Sequence, residues 1–235
     1  MMREKIYEIP VNEAFDTDCE CPLCVLEQNL EKNTVEFILG PAMMEPDFRE
    51  ETNKNGFCKH HYELLFAQTN RLSLALVLDT HLDEIIRLLD KNAPLSKSPN
   101  TEAIKKGLNE LEHSCSACQK NEFIMKKYLD VIFYMWKHTP EFQKKVSSCK
   151  GLCLKHLKRL LDDSTHFLSK KEAAQFCQQV LELEREQLKR IKQEVNWFTK
   201  KFDYKNEKEP WGNSKDAPKR TIEKLVGSIK KIDSE

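Results

Sequence analysis

The chain is 235 residues long, with 32% charged residues, 40% hydrophobic residues and a formal net charge of zero. No apolar run approaches the length of a membrane span, and the first residues lack the apolar core of a signal peptide. These features argue against membrane insertion and export. They predict a globular cytoplasmic protein without a membrane partner.

The first part of the chain is predicted to be a series of helices. Pro22 marks a helix start, because the first helical position tolerates a residue without an N–H group. Gly40 and Pro41 mark the end of that helix. The helices predicted here are residues 23–39, a short one from Pro46, one from about Cys58, and residues 72–89. The last is apolar on most faces, so we expect it at the centre of the core.

The second part is predicted to repeat this plan and then to add a C-terminal extension. Ser169 and Glu172 form a capping box that begins the longest helix. Thr221 is the expected N-cap of a final helix. In order, the predicted elements are a polar connector at 91–100, helices at 118–137 and 152–161, a helix from Ser169 to about Phe202, an irregular arm at 203–218, and a helix at 221–232 with an apolar face of Ile222, Leu225, Val226 and Ile229.

Two copies of one metal-ligand pattern dominate the sequence. Each copy supplies a Cys-x2-Cys pair and, more than thirty residues later, a Gly-x-Cys-x2-His element. Three thiolates and one imidazole suit a tetrahedral structural zinc site, which leaves no coordination position open to substrate. Two complete sets in the same order are a strong signal. The predicted ligands of two zinc ions are Cys21, Cys24, Cys58 and His61 in the first copy and Cys115, Cys118, Cys153 and His156 in the second.

The similarity between the copies extends beyond the ligands and indicates an internal repeat. The offset is 94 residues from Cys21 to Cys115 and 95 from Cys58 to Cys153. One inserted residue at 148–150 accounts for the difference. The sequence therefore predicts an all-α protein with two tandem helical metal-binding repeats packed together. The predicted domains are residues 1–92, residues 101–203, and a C-terminal arm with a short helix at 204–235.

Each copy is expected to form its own site, in which the metal joins two helix N-termini whose free N–H groups favour thiolates. The neighbouring lysines that could offset the negative charge of three thiolates are Lys59, Lys120, Lys150 and Lys155. An iron–sulfur cluster can use the same ligands. Thiol–disulfide exchange is a third interpretation, although the βαβ setting of thioredoxin-like motifs is absent.

The remaining cysteines and histidines are weaker candidates. Cys19 and His113 each precede the first ligand of their copy by two residues, so they are alternative ligands, donors to the ligands, or loop residues without a role. His81 is interpreted as a core histidine with satisfied hydrogen bonds, since it has no ligand partner at helical spacing. Cys149 and Cys177 have no counterpart in the other copy and are left out of the sites.

Enzyme signatures are missing from the sequence. It contains no phosphate-binding Gly-rich loop, no G-x-S-x-G and no His-Glu-x2-His motif. No pair of carboxylates stands out as an acid–base couple. The sequence therefore favours a protein without catalytic activity.

The charge is divided unevenly along the chain. Residues 1–100 carry 10 Lys+Arg and 18 Asp+Glu, a net charge of −8, and residues 101–235 carry 28 and 20, a net charge of +8. The second part could bind nucleic acid. We favour attraction between the two parts instead, because basic residues alternate with acidic ones rather than cluster.

These half-sites resemble those of an uncharacterised family of bacterial proteins, found mainly in anaerobic Gram-positive lineages. The C-terminal segment is also similar, in Phe202-Asp203-Tyr204-Lys205-Asn206, Asp216-Ala217 and Ile222-Glu223-Lys224-Leu225-Val226-Gly227. The resemblance covers nearly the whole chain. It implies a bacterial cytosolic protein and carries over no established activity.

The function predicted from sequence is that of a zinc-stabilised, non-catalytic binding or scaffold protein. Its partner is unknown, and a protein is favoured. The alternatives are an iron–sulfur or thiol redox protein and, third, a nucleic-acid-binding module.

Overall fold

The computed structural model describes residues 5–94 and 98–229. In these residues the regular structure is entirely helical, which confirms the predicted all-α class. Short 3-10 helices occupy Lys5–Tyr7, Pro41–Met44, Tyr204–Asn206 and Gly212–Ser214. The α-helices are α1 (Glu8–Asp16), α2 (Pro22–Ile38), α3 (Pro46–Asn55), α4 (Lys59–Ala67), α5 (Arg71–Asn92), α6 (Thr101–Glu112), α7 (Ser116–His138), α8 (Pro140–Ser148), α9 (Leu154–Phe167), α10 (Lys170–Lys200) and α11 (Ala217–Val226).

The chain divides into two compact units. The continuous unit is Asn29–Ile124, and the split unit combines Met1–Gln28 with Met125–Glu235, as far as these residues are described. The chain passes from one unit to the other within α2 and again within α7. These boundaries differ from the predicted ranges 1–92 and 101–203, and the tandem duplication stays a prediction.

The core of the continuous unit lies where α2, α4 and α5 meet the loop before α4. The rings of Phe57 and Tyr62 pack edge to face with their centroids 5.5 Å apart. Asn70 caps α5 by accepting a hydrogen bond from the Ser73 N–H group at 3.1 Å. The buried side chains of this core are Val35, Ile38, Leu39, Met43, Phe57, Leu65, Leu74, Val77, Cys115 and Ala117.

α5 is not the central core helix that its composition predicts. Its buried residues are Leu74, Val77 and His81, whereas Leu72 is 72%, Leu82 56% and Ile86 53% exposed. α5 has 22 residues and packs on α3, α4 and α6, which have 10, 9 and 12. These three shorter helices leave part of the surface of a helix about 33 Å long uncovered. The prediction for His81 is confirmed, because its Nδ1 atom lies 2.6 Å from the Asn53 carbonyl oxygen.

The core of the split unit is aromatic and is built on α7 and α10. Phe176 of α10 packs edge to face on Phe133 and Trp136 of α7, with ring centroids 5.0 and 5.1 Å away. The predicted capping box of Ser169 and Glu172 is present at the start of α10. This box fixes where the 31-residue helix begins and therefore which of its residues face α7.

The C-terminal helix begins four residues earlier than predicted. Pro218 lies in the first turn of α11, and Thr221 is not the N-cap but donates its hydroxyl hydrogen to the Ala217 carbonyl oxygen at 2.7 Å. Proline favours the first helical turn because it needs no N–H partner there. The helix ends at Gly227, and the last residues of the predicted helix, from 230 to 232, lie outside the described part of the chain. Sequence patterns also missed α1 and α6.

Among the described residues, no helix combines the length and the apolar composition that crossing a bilayer requires.

Substitutions in α5 should separate its buried face from its exposed face. Leu82→Gln and Ile86→Gln should each change the free energy of unfolding by less than about 0.5 kcal/mol. Leu74→Ala, on the buried face, should lower it by about 2–5 kcal/mol. Urea denaturation followed by circular dichroism measures the three values. Equal losses for Leu82→Gln and Leu74→Ala would contradict this account of α5.

Candidate metal centres

The eight predicted ligands form two clusters, each confined to one unit. Site A consists of Cys21, Cys24, Cys153 and His156, and site B of Cys58, His61, Cys115 and Cys118. In each site the four ligand atoms lie within 4.8 Å of one another. Each site thus combines the Cys-x2-Cys pair of one copy with the Cys-x2-His pair of the other. The expectation that each copy forms its own site is wrong.

Helix lengths explain why the half-sites of one copy do not meet. In the first copy α2 spans about 25 Å over 17 residues, and α3 about 15 Å over 10. In the second copy α7 spans about 34 Å over 23 residues, and α8 about 14 Å over 9. Even a second helix that ran straight back would therefore be too short to bring the Cys-x2-His pair to the pair that begins its own copy.

All four half-sites lie at a helix N-terminus. Cys58 and Cys153 are the N-cap residues of α4 and α9, with nearly equal backbone angles (φ −70° and −77°, ψ 163° and 158°). Cys21 and Cys115 immediately precede α2 and α7. The second ligand of each pair follows three residues later, on the first turn. Two side chains at this spacing point to one side, where the helix dipole also favours negative charge.

A glycine with positive φ precedes each Cys-x2-His pair by two residues. Gly56 has φ 58° and Gly151 has φ 85°, a conformation that side chains with a Cβ rarely adopt. A Cβ at Gly56 would lie 2.5 Å from the His81 ring, and one at Gly151 would lie 2.4 Å from the Glu184 carboxylate. Glycine is thus required both by the backbone turn and by the close approach of a buried polar side chain.

The separations in site A fit a single tetrahedral ion. The Sγ atoms of Cys21, Cys24 and Cys153 lie 3.4, 3.4 and 3.2 Å from His156 Nδ1. The Sγ atoms of Cys24 and Cys153 are 3.7 Å apart. Zinc, with Zn–S bonds of about 2.3 Å and Zn–N bonds of about 2.0 Å, sets tetrahedral edges of about 3.8 Å between sulfurs and about 3.5 Å between sulfur and nitrogen.

Site B has the same dimensions. The Sγ atoms of Cys58, Cys115 and Cys118 lie 3.2, 3.4 and 3.4 Å from His61 Nδ1. The Sγ atoms of Cys58 and Cys118 are 3.9 Å apart. In both sites Nδ1 is therefore the nitrogen that faces the thiols and could bind a metal ion. The other ring nitrogen, Nε2, faces away from the ligand sulfurs.

A glutamate of α2 approaches Nε2 of each ligand histidine. Glu27 Oε2 lies 3.2 Å from His156 Nε2, and Glu31 Oε1 lies 3.9 Å from His61 Nε2 and 2.6 Å from His60 Nε2. Burial opposes charge on Glu27, but His156 and Lys155 outweigh it and lower the Glu27 pKa to about 2. Neither approach has hydrogen-bond geometry, but a nearby negative charge favours the proton on Nε2, which leaves Nδ1 free to donate its lone pair to a metal.

The site A thiols differ in acidity. Burial and hydrogen bonds to the neighbouring cysteines raise the pKa of Cys21 above its usual value. Hydrogen bonds from Cys21 and Cys24 lower the pKa of Cys153. The favoured protonation state therefore has a thiolate at Cys153 beside a protonated Cys21. Metal binding would have to release the Cys21 proton, which makes metal affinity fall as the pH falls.

Site A is held by a buried lysine from the C-terminal helix. Lys224 is fully buried, and its Nζ donates hydrogen bonds to the carbonyl oxygens of Glu20 at 2.9 Å, Leu152 at 3.2 Å, and Lys150. Glu20 directly precedes Cys21, and Leu152 directly precedes Cys153. One ammonium group thus joins the two loops that carry the site A half-sites. The Glu184 carboxylate lies 3.7 Å from Nζ and balances its charge.

We call the hydrogen bonds of Lys224 to the two ligand loops the clamp, and an ion-pair network surrounds it. The buried Glu20 carboxylate lies 2.6 Å from Arg190 Nη2 and 3.2 Å from Arg220 Nη1. Burial alone would lower the pKa of Arg220, but hydrogen bonds to the carboxylates of Asp216, Glu194 and Glu20 outweigh it and raise the pKa above its usual value, so Arg220 stays charged. The expected lysines point elsewhere: Lys155 lies 2.8 Å from Glu27, Lys150 pairs with Asp18, Lys59 lies 3.9 Å from Glu63, and Lys120 lies over the Phe37 ring.

The two sites differ in exposure. All four site A ligands are buried, and Gly227, at the end of α11, is so close that an added Cβ would lie 3.5 Å from Cys24 Sγ. In site B, His61 and Cys115 are buried, Cys58 is half-buried and Cys118 is exposed. One edge of site B therefore faces solvent.

Neither of the doubtful candidates joins a described cluster. His113 is exposed, and its Nδ1 lies 2.8 Å from the Asn109 carbonyl oxygen. Cys19 is half-buried, and burial raises its pKa to about 11. Cys149 approaches the carbonyl oxygen of Val146 at 3.3 Å. The choice of eight ligand candidates from sixteen cysteines and histidines therefore agrees with the spatial grouping.

Sequence comparison places the chain in a family. A family of unknown function (DUF6062) matches residues 2–232. The chain belongs to this family. No curated protein and no solved structure matches it. Membership in DUF6062 therefore identifies relatives without assigning an activity, and the chemistry must be argued from the two sites.

Sequence patterns did not identify several residues that contact the two sites in this DUF6062 member. Glu27 and Glu31 look like ordinary surface residues of an amphipathic helix. Lys224 lies between Ile222 and Leu225, which were expected to face inwards and are exposed instead. Glu184 lies near the middle of α10, within its buried face. Only the two glutamates could have been found from the sequence, because they lie three and seven residues after Cys24, on the same helix.

Paired substitutions should reveal which half-sites share a metal ion. Cys21→Ser with Cys153→Ser removes two ligands from site A alone, so one ion per chain should remain. Cys21→Ser with Cys58→Ser damages both sites and should leave none. Metal analysis after dialysis against a mild chelator measures both numbers. If each copy formed its own site, the two results would be exchanged.

Proposed function

We propose that this protein is a zinc-stabilised, non-catalytic binding or scaffold protein with two zinc ions. The observation that carries the proposal is that each cluster supplies four protein ligands at tetrahedral separations. Four protein ligands close the coordination sphere and leave no position for a substrate or an activated water. Each ion would contribute to folding by joining helix N-termini from distant parts of the chain.

Zinc is preferred to an iron–sulfur cluster because of the spacing of the sulfurs. Separations of 3.7 and 3.9 Å between ligand sulfurs correspond to one central ion. A cluster would place several iron atoms and inorganic sulfides between the cysteines. Thiol redox chemistry is less favoured at site A, where all three thiols are buried.

The wider setting in this proposal is the cytoplasm of a bacterium of the anaerobic Gram-positive type. Nine free cysteines support a reducing compartment. The two equal ligand sets and their matching helix positions support descent from a duplicated unit.

Metal analysis tests the proposal. Protein purified anaerobically without added metal should contain two zinc ions per chain and be colourless. Chelation should lower both the melting temperature and the helical circular dichroism signal, because structural zinc contributes roughly 10–16 kcal/mol in small domains. Broad visible absorption with iron and sulfide would contradict zinc. Unchanged melting after complete metal removal would contradict a structural role.

The proposed partner is a protein that contributes an amphipathic helix. On the side of α5 opposite its buried face, Leu72, Leu82 and Ile86 are exposed, and an apolar groove of about 580 Å³ lies between α4 and α5. Phe66 and Leu78 line the groove. A row of apolar side chains beside a groove is the surface on which helical peptides dock.

Cross-linking should identify this partner. A photoreactive residue at position 82 should capture a protein in intact cells. The purified partner should bind the wild-type protein in calorimetry. Its affinity for the double variant Leu82→Glu, Ile86→Glu should be at least about tenfold lower. Lys105→Glu, on exposed α6, is the matched control and should bind normally. Equal affinity for all three would contradict docking on α5.

A further inference from the structure

We infer that site B is an exchangeable metal site, which gives up its ion to a competing thiolate ligand and takes it back, while site A retains its ion. This inference rests on the proposed metal binding and adds a division of labour between the two sites. The observation that carries it is the unequal burial of two ligand sets with the same donors.

Site A is enclosed by elements that lie outside the metal motif. Cys153 and His156 are 0% exposed, and Cys21 and Cys24 are 4% exposed. Lys224 holds the carbonyl groups of both ligand loops, so the loops remain joined even when a metal–sulfur bond breaks. A competing ligand would have to displace the end of α11 before it reached the metal.

A polar cavity of about 720 Å³ beside site A does not alter this conclusion. Cys21 and Cys24 belong to its lining, but their side chains are almost fully buried. The cavity is also lined by Arg190, Arg220 and Glu194, which pair with one another or with Glu20. Access to the ion from this side is therefore limited by the burial of these two cysteines, in a cavity whose charged walls are held by ion pairs.

Site B has a protected half and an open half. His61 and Cys115 are buried and would hold the ion in place. Cys118 is exposed and Cys58 half-buried, and their sulfurs form one edge of the tetrahedron, 3.9 Å long. A ligand arriving from solvent therefore meets this edge first. Access is the factor that decides which metal-bound thiolates exchange or react.

The exchange step is ligand substitution without a change in oxidation state. An incoming thiolate would donate an electron pair to the ion at the open edge. The Cys118 sulfur would leave with its own electron pair and take a proton from solvent. A second substitution at Cys58 would free the ion from the buried pair, His61 and Cys115. The acceptor class is a soft, thiol-containing molecule, which matches the preference of zinc for sulfur.

The rates of metal release and of cysteine alkylation test this inference on the intact wild-type protein. The zinc-loaded protein is mixed with excess dithiothreitol, a dithiol, and a chromogenic zinc indicator. At intervals, an aliquot is freed of dithiol and treated with N-ethylmaleimide, which marks the cysteines that have become free. Peptide mass spectrometry then identifies the marked cysteines. Release should occur in two phases of one ion each, with rates at least about tenfold apart. Cys58, Cys115 and Cys118 should be alkylated during the fast phase.

The outcomes are distinct. Release of both ions at one rate, or earlier alkylation of Cys21, Cys24 and Cys153, would overturn the inference while leaving metal binding intact. Protein that contains no zinc when purified would overturn the proposed function itself. Cys19, Cys149 and Cys177 are internal controls, because their alkylation should not follow either phase.

A variant that loosens site A should reduce the difference in rates. Lys224→Met removes the clamp, and it should speed the slow phase at least about tenfold without changing the fast phase. Lys219→Met, on the same helix and exposed, should change neither rate. If Lys224→Met prevents folding, the wild-type experiment decides alone. An unchanged slow phase in a folded Lys224→Met protein would overturn the role given to the clamp.

Discussion

Closure of the two ligand sets is the constraint on which the rest of the fold depends. Site A joins residues 129 positions apart in the sequence, and site B joins residues 60 positions apart. The interval closed by site B lies entirely within the one closed by site A. The ligand candidates of site A belong to both segments of the split unit, and those of site B belong to the continuous unit. The nesting of the two clusters in the sequence thus matches the division of the chain into a split and a continuous unit.

Closing such long intervals opposes the large conformational freedom of the unfolded chain. A covalent cross-link across about 100 residues removes unfolded-state entropy equivalent to roughly 4–5 kcal/mol. A metal ion with four ligands imposes a comparable restriction and adds its own bond energy. The helices contribute by presenting their N-termini, where cysteine sulfurs and free N–H groups already point outwards. Ligation therefore requires little further ordering once α2, α4, α7 and α9 have formed.

The sequence was sufficient to identify the ligand candidates and the helices that carry them, because donor type and N-terminal position are local properties. It was insufficient to decide which half-sites meet, because the four half-sites are chemically alike and either pairing gives three sulfurs and one nitrogen. The deciding factor is length: α2 and α7 are longer than the helices that follow them. The predicted ranges 23–39 and 118–137 already contained that information. Composition also placed α5 in the core, but the leucines of a long helix are buried only where neighbouring helices cover them, and α3, α4 and α6 leave part of α5 uncovered.

The burial of a charged residue in α11 is a second feature that the local sequence pattern could not predict. The C-terminal helix has an apolar face at Ile222, Leu225 and Val226, yet its buried residues are Ala217 and Lys224. The reason lies in the loops around site A, whose carbonyl groups would otherwise be buried without donors beside the carboxylates of Glu20 and Glu184. Unpaired buried acceptors and charges are costly, so a cation is selected at this position over an aliphatic side chain. The need for a cation arises only after the loops have been brought together, so the periodicity of α11 cannot predict it.

The same clamp explains why two equal ligand sets need not behave alike. Donor identity, helix position and tetrahedral separations are shared by sites A and B, whereas enclosure depends on neighbours outside the repeated pattern. α11 and its lysine contact site A, and they come from the C-terminal segment that follows both copies. Burial raises the pKa of Cys118 in site B to about 12, yet this thiol still reaches solvent. The C-terminal segment, which has no counterpart in the repeated pattern, therefore accounts for the difference in enclosure, and two equal sets of ligand candidates give one buried cluster and one with an exposed edge.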